Sequence, residues 1–288
     1  MRSVFALAVV LCCSVGSAFA QSPAFLTLDR VNGETGVSLE MAASSYTLPD
    51  EDVGYDWQYR SYVLHVGAQR MLTRGFGVYL QLPMGQYVSE RVGKDRETRI
   101  DSLELGVQFV TRKTPFAKSV YHGGFVFPTH SGVGWAQSNH AQNMTYATGR
   151  VGDWSQISAY GTKLRLGGLH ELGSKAVTLH ITYGLDATLK KFDDADYFLR
   201  AGIGALINVS GGWGVLLEAA HITLLKQLDY GFQPAHENSL TAGIHFHRDR
   251  LSASLGATLP FSIGNAEDAH SSGFGNIITP MASMSFTW

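Results

Sequence analysis

The chain has 288 residues, with 22 Lys and Arg against 24 Asp and Glu, so its formal net charge is only −2. This balance excludes the basic surface that nucleic acids require and the polybasic patch of a membrane-surface protein. Charged residues make up 16% of the chain, below the usual quarter, and 32 glycines outnumber 8 prolines. No low-complexity segment or linker divides the chain, so we expect a single domain.

The first residues have the pattern of a secretory signal peptide. A basic residue precedes the apolar run 4–11, and Ala18-Phe19-Ala20 fits a small-x-small cleavage site. The run is too short to span about 30 Å of hydrocarbon as a helix. A lipoprotein site at Cys12 or Cys13 lacks the small residue that should precede it. We therefore predict a signal peptide at 1–20 and one mature domain at 21–288. Both cysteines lie in the signal peptide, so the mature domain has no disulfide.

From residue 36 onward the hydrophobic pattern has a period of two. In "LELGVQFV" (103–110) every second residue is apolar, and "AVTLHITYGLDA" (176–187) repeats the pattern. Alternation over this length indicates β-strands. Such segments predict twelve strands, at about 36–45, 59–70, 76–86, 100–111, 119–128, 157–169, 176–189, 197–209, 213–225, 239–247, 251–263 and 277–288.

Short and long connections alternate along this series. Outer-membrane barrels have this arrangement, with short turns facing the periplasm and long loops facing outside. Tilted membrane-spanning strands need about 9–11 residues, whereas strands of soluble proteins average about 5–6, and the predicted strands match the longer class. We therefore predict an all-β fold, a transmembrane antiparallel up-and-down β-barrel of about twelve strands. A soluble β-sandwich is the alternative.

Most ionisable residues within the predicted strands lie opposite the apolar face. A basic side chain facing lipid at mid-membrane costs about 2–4 kcal/mol, which favours a polar lumen and a lipid-facing apolar exterior. Arg60, Arg70 and Asp101 lie on the apolar face only at segment ends, where headgroups are in reach, and His221 is the one exception further in. The predicted lumen-lining residues are Glu40, His65, Glu104, Lys163, Arg165, His180, Asp186, Arg200, Glu218 and His245.

This lumenal set carries both signs of charge. It could form an ion-selective constriction, or a salt-bridged interior that holds the barrel's shape and passes little. One pair is predicted in detail: Asp186 and Arg200 stand opposite each other if the hairpin between them is centred near residue 193.

Aromatic residues mark the predicted strand ends. Amphipathic rings are enriched at headgroup level, and the candidates are Tyr62, Tyr121, Phe127, Tyr160, Tyr197, Phe261 and Trp288. The final stretch "MASMSFTW" alternates apolar residues up to Trp288 and resembles the C-terminal signature of Gram-negative outer-membrane barrels. This resemblance implies that Phe286 and Trp288 form an assembly signal read by the barrel assembly machinery. It also implies a location in the cell outer membrane, in contact with outer-membrane lipid and lipopolysaccharide.

A narrower resemblance covers about a quarter of the chain. The stretches "YVLHVGAQRMLTRGFGVYLQLPMGQY" (62–87) and "DSLELGVQFVTRKTPFAKSVYHGGFVFPTHSG" (101–132) resemble the barrel family associated with meta-pathway phenol degradation. Here Asp101-Ser102-Leu103 replaces the family's Gly-Asp-Leu, and "PTHSG" (128–132) replaces its Pro-Thr-Gly. The resemblance implies a transporter with hydrophobic or aromatic cargo.

The longest predicted loop, 129–156, is nearly free of charge. Its amide and aromatic groups suit a polar, uncharged ligand or an inward-folded constriction, and a surface loop without particular chemistry is the alternative. The candidate residues are Trp135, Asn139, His140, Tyr146 and Trp154.

Catalytic and metal-binding patterns are weak. His270 and Ser272 have the His-x-Ser spacing of outer-membrane lipid hydrolases, but they lie in a predicted loop with no assignable third member. His245 and His247 share a face, which is insufficient for a metal site. We therefore predict no catalytic residue, no metal and no cofactor.

The pattern as a whole predicts an outer-membrane channel or transporter for small molecules. Two alternatives stay open: a lipid-modifying hydrolase, and a structural or adhesion barrel with a filled lumen.

Overall fold

In the computed structural model the described residues are 26–50, 55–89, 95–100, 102–114, 117–129, 148, 150–157, 161–174, 176–189, 197–225, 236–262 and 277–288. Antiparallel strands dominate them. The strands are β1 (Gly36–Asp50), β2 (Tyr55–Met71), β3 (Phe76–Ser89), β4 (Asp95–Ile100), β5 (Ser102–Thr114), β6 (Ala117–Pro128), β7 (Thr162–Gly173), β8 (Val177–Leu189), β9 (Tyr197–Ser210), β10 (Trp213–Leu224), β11 (His236–Arg248), β12 (Leu251–Ser262) and β13 (Thr279–Thr287).

The sheet closes on itself. Strands that follow one another in sequence pair, except that β4 and β5 both pair with β3, and β13 pairs with β1, with Gly36 opposite Thr287 and Met41 opposite Ala282. The amide of Trp288 extends this seam by donating to the Thr35 carbonyl at 3.1 Å. Closure removes the unpaired edge that an open sheet would expose to lipid.

The strands β4 and β5 together fill one position in the barrel, since both pair with β3. Met84 faces Ile100, whereas Gln81 faces Glu104, so the register advances by one residue between the two pieces. Residue 101, where they meet, lies outside the described residues. The prediction of an all-β up-and-down barrel of twelve strands is therefore confirmed, with one strand in two pieces.

The two faces of the strands differ as the sequence predicts. Exterior side chains such as Leu105, Ile203 and Leu255 are exposed, whereas His65 and Glu104 on the inner face are fully buried. An exterior rich in Leu, Ile, Val and Phe suits a hydrocarbon environment. Among the described residues, no helix has the length and hydrophobicity needed to span a bilayer.

The predicted interfacial aromatic residues follow the same division. Tyr62, Tyr121, Phe127 and Tyr197 are exposed on the exterior. The Trp288 ring lies 5.9 Å from the Phe286 ring, centroid to centroid. The side chains of Tyr160 and Phe261 lie outside the description.

The connections explain two differences from the predicted strands. The strand expected at 157–169 begins only at Thr162, because Trp154–Ile157 forms one helical turn, α1, after a 3₁₀ turn at Val151–Asp153. The strand expected at 100–111 is longer at both ends, since β4 begins at Asp95 and β5 ends at Thr114.

The turn between β9 and β10 contains two glycines. Gly211 and Gly212 adopt φ of 60° and 84°, a conformation that glycine reaches without steric cost.

Candidate functional site

The barrel lumen is occupied by residues 26–35, which precede β1 and are named here the lumenal segment. The segment is buried but joins no strand of the sheet. The amides of Leu26 and Thr27 donate to the Glu218 carboxylate at 2.6 and 2.7 Å. Further along, the Gly33 amide donates to the Gln108 side-chain carbonyl at 2.9 Å. Inward side chains of the wall therefore satisfy the backbone donors that a strand would pair within the sheet.

Arg30 anchors the middle of the segment. Its Nε lies 2.6 Å from Glu40 Oε2, and its two terminal nitrogens bind the Asp153 carboxylate at 2.7 Å each. Arg150 binds the same two acids, with Nη2 2.7 Å from Glu40 and Nε 2.6 Å from Asp153. These four residues, the arginine–carboxylate cluster, are buried and balance two positive against two negative charges. Buried charges of this kind are stable only when paired.

Asp29 connects the segment to a second set of charges. Its Oδ2 lies 2.9 Å from His122 Nε2 and 3.0 Å from Arg200 Nη1. Burial alone would raise the pKa of the Asp29 carboxyl, but His122 and the guanidinium groups of Arg200 and Arg165 outweigh it and hold that pKa well below its ordinary value. Asp29 is thus a fixed negative charge inside the barrel.

The predicted partnership of Asp186 and Arg200 forms, although the predicted register is wrong. Arg200 Nε lies 3.0 Å from Asp186 Oδ2. In the sheet, however, Asp186 faces Phe198 and Arg200 faces Gly184, a two-residue offset along the strands. The long guanidinium side chain reaches diagonally across this offset.

Apolar contacts also fix the segment. Leu26 and Leu28 pack in a buried cluster with inward side chains that include Phe198, Leu216 and Met281. At the other end, Val31 packs in a second cluster, with Tyr79, Val110, Val120 and Leu169. Full burial of each aliphatic side chain contributes about 1.5–3 kcal/mol. The lumen is therefore less uniformly polar than the strand alternation predicts.

The α1 turn fills the space beside the segment. Gln156 Nε2 donates to Gln81 Oε1 at 2.6 Å and also to the Glu104 carboxylate, while Ser102 Oγ donates to the Gln156 carbonyl. Part of the predicted loop 129–156 thus folds inward. Between the segment and the 3₁₀ turn that precedes α1, beside Asp29, Asp153 and Arg165, a cavity of about 20 Å³ has room for one water molecule.

All ten residues predicted to line the lumen are buried in the structure. Glu40, Arg200 and Glu218 contact the lumenal segment directly. Glu104, Arg165 and Asp186 form the charged layer beside it. The other four, His65, Lys163, His180 and His245, lie elsewhere on the inner face. Whether these residues control the passage of ions stays a prediction.

Two of the remaining histidines have identified partners. His180 Nε2 lies 3.3 Å from Glu171, and His245 Nδ1 lies 2.9 Å from Ser254 Oγ. His247 similarly contacts Ser252 at 2.8 Å. Within the described part of the chain, no group of three or more His, Cys, Asp or Glu side chains is arranged to hold a metal ion.

Several residues predicted from the sequence lie outside the described residues, or their side chains do. Trp154 begins the α1 turn, but its side chain is not described. The residues that lie outside the described ranges are Trp135, Asn139, His140, Tyr146, His270 and Ser272.

The residues that sequence reasoning missed are those that fill the lumen. The run "DRVNGE" (29–34) is charged and directly precedes the first strand, which is the one signal that could have indicated a role. Arg150 and Asp153 occur in a loop without periodicity, where nothing distinguishes an inward from an outward course.

Comparisons with known proteins support the fold. No family model and no curated protein matches the sequence. A COG4313 outer membrane channel from Pseudomonas putida F1 is similar with a TM-score of 0.58 and 10% identity, covering 91% of this chain and 100% of that one. The NanC porin is similar with a TM-score of 0.51 and 9% identity, covering 86% and 100%. The chain thus has the fold of outer-membrane β-barrels, and its apolar exterior suits the same membrane.

Proposed function

We propose that this barrel is an outer-membrane channel or transporter for small molecules, whose lumen the segment 26–35 closes. One observation carries the proposal: the segment fills the lumen but is bound by side chains and adds no strand to the sheet. Residues 26–34 can therefore leave the lumen without breaking a ladder hydrogen bond, while the Thr35 carbonyl stays bound to the Trp288 amide at the seam. A segment paired with a strand of the sheet could not leave in this way.

The cargo we propose is hydrophobic or aromatic. The inner wall carries apolar side chains, among them Phe198, Leu216, Ile222 and Met281, which the segment covers. A water-filled porin has a polar interior. When the segment moves, this band would present an apolar surface of the kind that lines small-molecule sites. The resemblance of 62–87 and 101–132 to the meta-pathway barrel family supports the same class.

Uptake by whole cells tests the proposal. Cells that express the barrel should accumulate a radiolabelled monocyclic aromatic compound, such as phenol, faster than cells without it. The inward Leu216, fully buried, and the lipid-facing Leu217, 49% exposed, offer a matched pair. Leu216→Gln should lower uptake because it places an amide in the apolar band, whereas Leu217→Gln should not. Equal uptake with and without the barrel would contradict the proposal.

The occupied lumen also supports a second function, a structural or adhesive barrel. A barrel whose lumen is permanently occupied would serve a structural or adhesive role. The ion pairs of Arg30 and Asp29 favour this alternative if they never open. Conductance in a planar bilayer separates the two, because only a channel passes current.

A further inference from the structure

A polar cluster interrupts the lipid-facing surface near one end of β10 and β11. His221 and Thr223 lie on the exterior face of β10, and their partners in the ladder are Asn238 and His236 of β11. An ionisable residue on a membrane-facing surface is costly and rare, and such residues usually mark functional sites. This cluster lies outside the lumen, so channel function leaves it without a role.

The side chains of the cluster form a continuous hydrogen-bonded series. His221 Nδ1 lies 2.7 Å from Asn238 Oδ1, and His221 Nε2 lies 2.6 Å from Thr223 Oγ1. On its other side, Thr223 Oγ1 lies 3.1 Å from His236 Nδ1. All three contacts are satisfied when His221 Nδ1–H donates to Asn238, the Thr223 hydroxyl donates to His221 Nε2, and His236 Nδ1–H donates to Thr223.

This order of groups has the geometry of a hydrolytic triad. A hydroxyl bound to one imidazole nitrogen, with a carbonyl oxygen orienting the other, is recognised by roles and distances rather than by sequence position. Threonine is an established nucleophile, and a carboxamide is an established third member. Asn238 is buried and fixes the imidazole, whereas Thr223 is half-buried and stays accessible from the exterior.

The surroundings indicate the substrate. Apolar side chains border the cluster, since Leu199, Leu225 and Leu240 are 44%, 55% and 50% exposed. An acyl chain of a membrane lipid lies along such a surface, which brings its ester bond to headgroup depth. The cluster is at the barrel end that carries the long connections, which faces outside in outer-membrane barrels.

We infer that Thr223, His221 and Asn238 form a lipid-facing hydrolytic site that cleaves the acyl ester of an outer-membrane lipid. Thr223 Oγ attacks the ester carbonyl carbon while its proton passes to His221 Nε2. The bond to the alcohol oxygen breaks, and that proton leaves with the alcohol. Water, deprotonated by His221, then cleaves the acyl–threonine ester, which releases the fatty acid and restores the hydroxyl. Asn238 is a positioning residue. The inference is independent of transport through the lumen.

The test measures fatty acid release by the purified folded barrel from two lipids, dioleoylphosphatidylcholine in mixed micelles and lipopolysaccharide. Release from either supports the inference, and the arm that responds identifies the lipid. Thr223→Val keeps the side-chain shape and should lower the rate by about a thousandfold, and Thr223→Ser should retain activity. A fluorophosphonate probe should label residue 223 in the wild-type protein and not in Thr223→Val.

The positioning role of Asn238 is tested by rescue with the conservative aspartate variant, which a purely structural role does not predict. Asn238→Ala should lower the rate at least about tenfold, and Asn238→Asp should restore it.

A second exterior pair provides the matched control. Ser119 Oγ lies 2.8 Å from His170 Nδ1, but the other ring nitrogen of His170 contacts the Tyr183 hydroxyl at 3.1 Å rather than a carboxamide. Ser119→Ala should leave fatty acid release unchanged. Release no greater than that of Thr223→Val from either lipid would overturn the inference, and so would an equal loss in Ser119→Ala. Heat-dependent migration on gels confirms that each variant is folded.

Discussion

Replacing Arg30 with alanine should loosen the lumenal segment without disturbing the barrel wall. The Arg30 guanidinium makes three contacts of 2.6–2.7 Å with Glu40 and Asp153 and is 4% exposed. Removing one partner of a buried ion pair costs about 3–5 kcal/mol. Arg150 still binds both acids in the variant, so we take the lower end. A cost of about 3 kcal/mol lowers the ratio of docked to undocked segment by about 150-fold.

The labelling rate of a buried thiol measures this ratio. The predicted mature domain has no cysteine, so Val31→Cys introduces a single thiol at a position that is 1% exposed. Reaction with a membrane-impermeant maleimide requires the segment to open. In this background Arg30→Ala should accelerate labelling by about 150-fold, following the shift in the docking ratio. The exposed Arg74→Ala is the matched control and should change nothing.

Charge balance within the arginine–carboxylate cluster provides a stricter test. Arg30→Ala leaves one positive charge against two negative charges, whereas Arg30→Ala with Asp153→Ala restores neutrality. The double variant should therefore label more slowly than Arg30→Ala alone, although faster than the parent. A labelling rate for Arg30→Ala within twofold of the parent would refute the reasoning, because Arg30 would then contribute nothing to docking.

Three further outcomes follow from single contacts. Trp288→Asp or deletion of 286–288 should prevent formation of the heat-modifiable barrel, since the closing strand loses its interfacial anchor; normal barrel levels would contradict this. Arg200→Glu places a third carboxylate beside Asp29 and Asp186, so it should speed thiol labelling of the segment as well as alter ion selectivity; an unchanged labelling rate would count against the contact. Gly33→Ala should lower the thermal unfolding temperature, because a Cβ there would lie 2.5 Å from a wall side chain and the residue has φ of 76°; an unchanged temperature would contradict it.

The barrel was predictable because strand alternation repeats. The alternation within each strand identifies the face that meets lipid, and it is as regular in the closing strand "MASMSFTW" as in the other strands. The burial of Glu104 and Asp186 followed from the same rule. The register between strands did not, since alternation marks the face of a residue and not its partner on the next strand. The two-residue offset between Asp186 and Arg200 and the one-residue shift between β4 and β5 are the examples here.

The filling of the lumen was not predictable from local pattern. Residues 26–35 have neither helical nor strand periodicity, and contacts with distant residues fix their conformation, from Glu218 on β10 to Gln108 on β5. Sequence order does not reveal such partners. The exterior cluster was predictable only in part. Alternation placed the ionisable His221 on the apolar face, but its pairing with Asn238 follows only from the register between β10 and β11.

Single-channel conductance in a planar bilayer tests the closure of the lumen most directly. The wild-type protein should be compared with a variant lacking residues 26–34, with heat-modifiable migration confirming that both are folded. Since the segment is buried inside the barrel and held there by ion pairs, the wild-type protein should show low conductance or brief openings. The variant should show a stable current several-fold larger. Identical traces from the two proteins would contradict the claim that residues 26–35 close the channel.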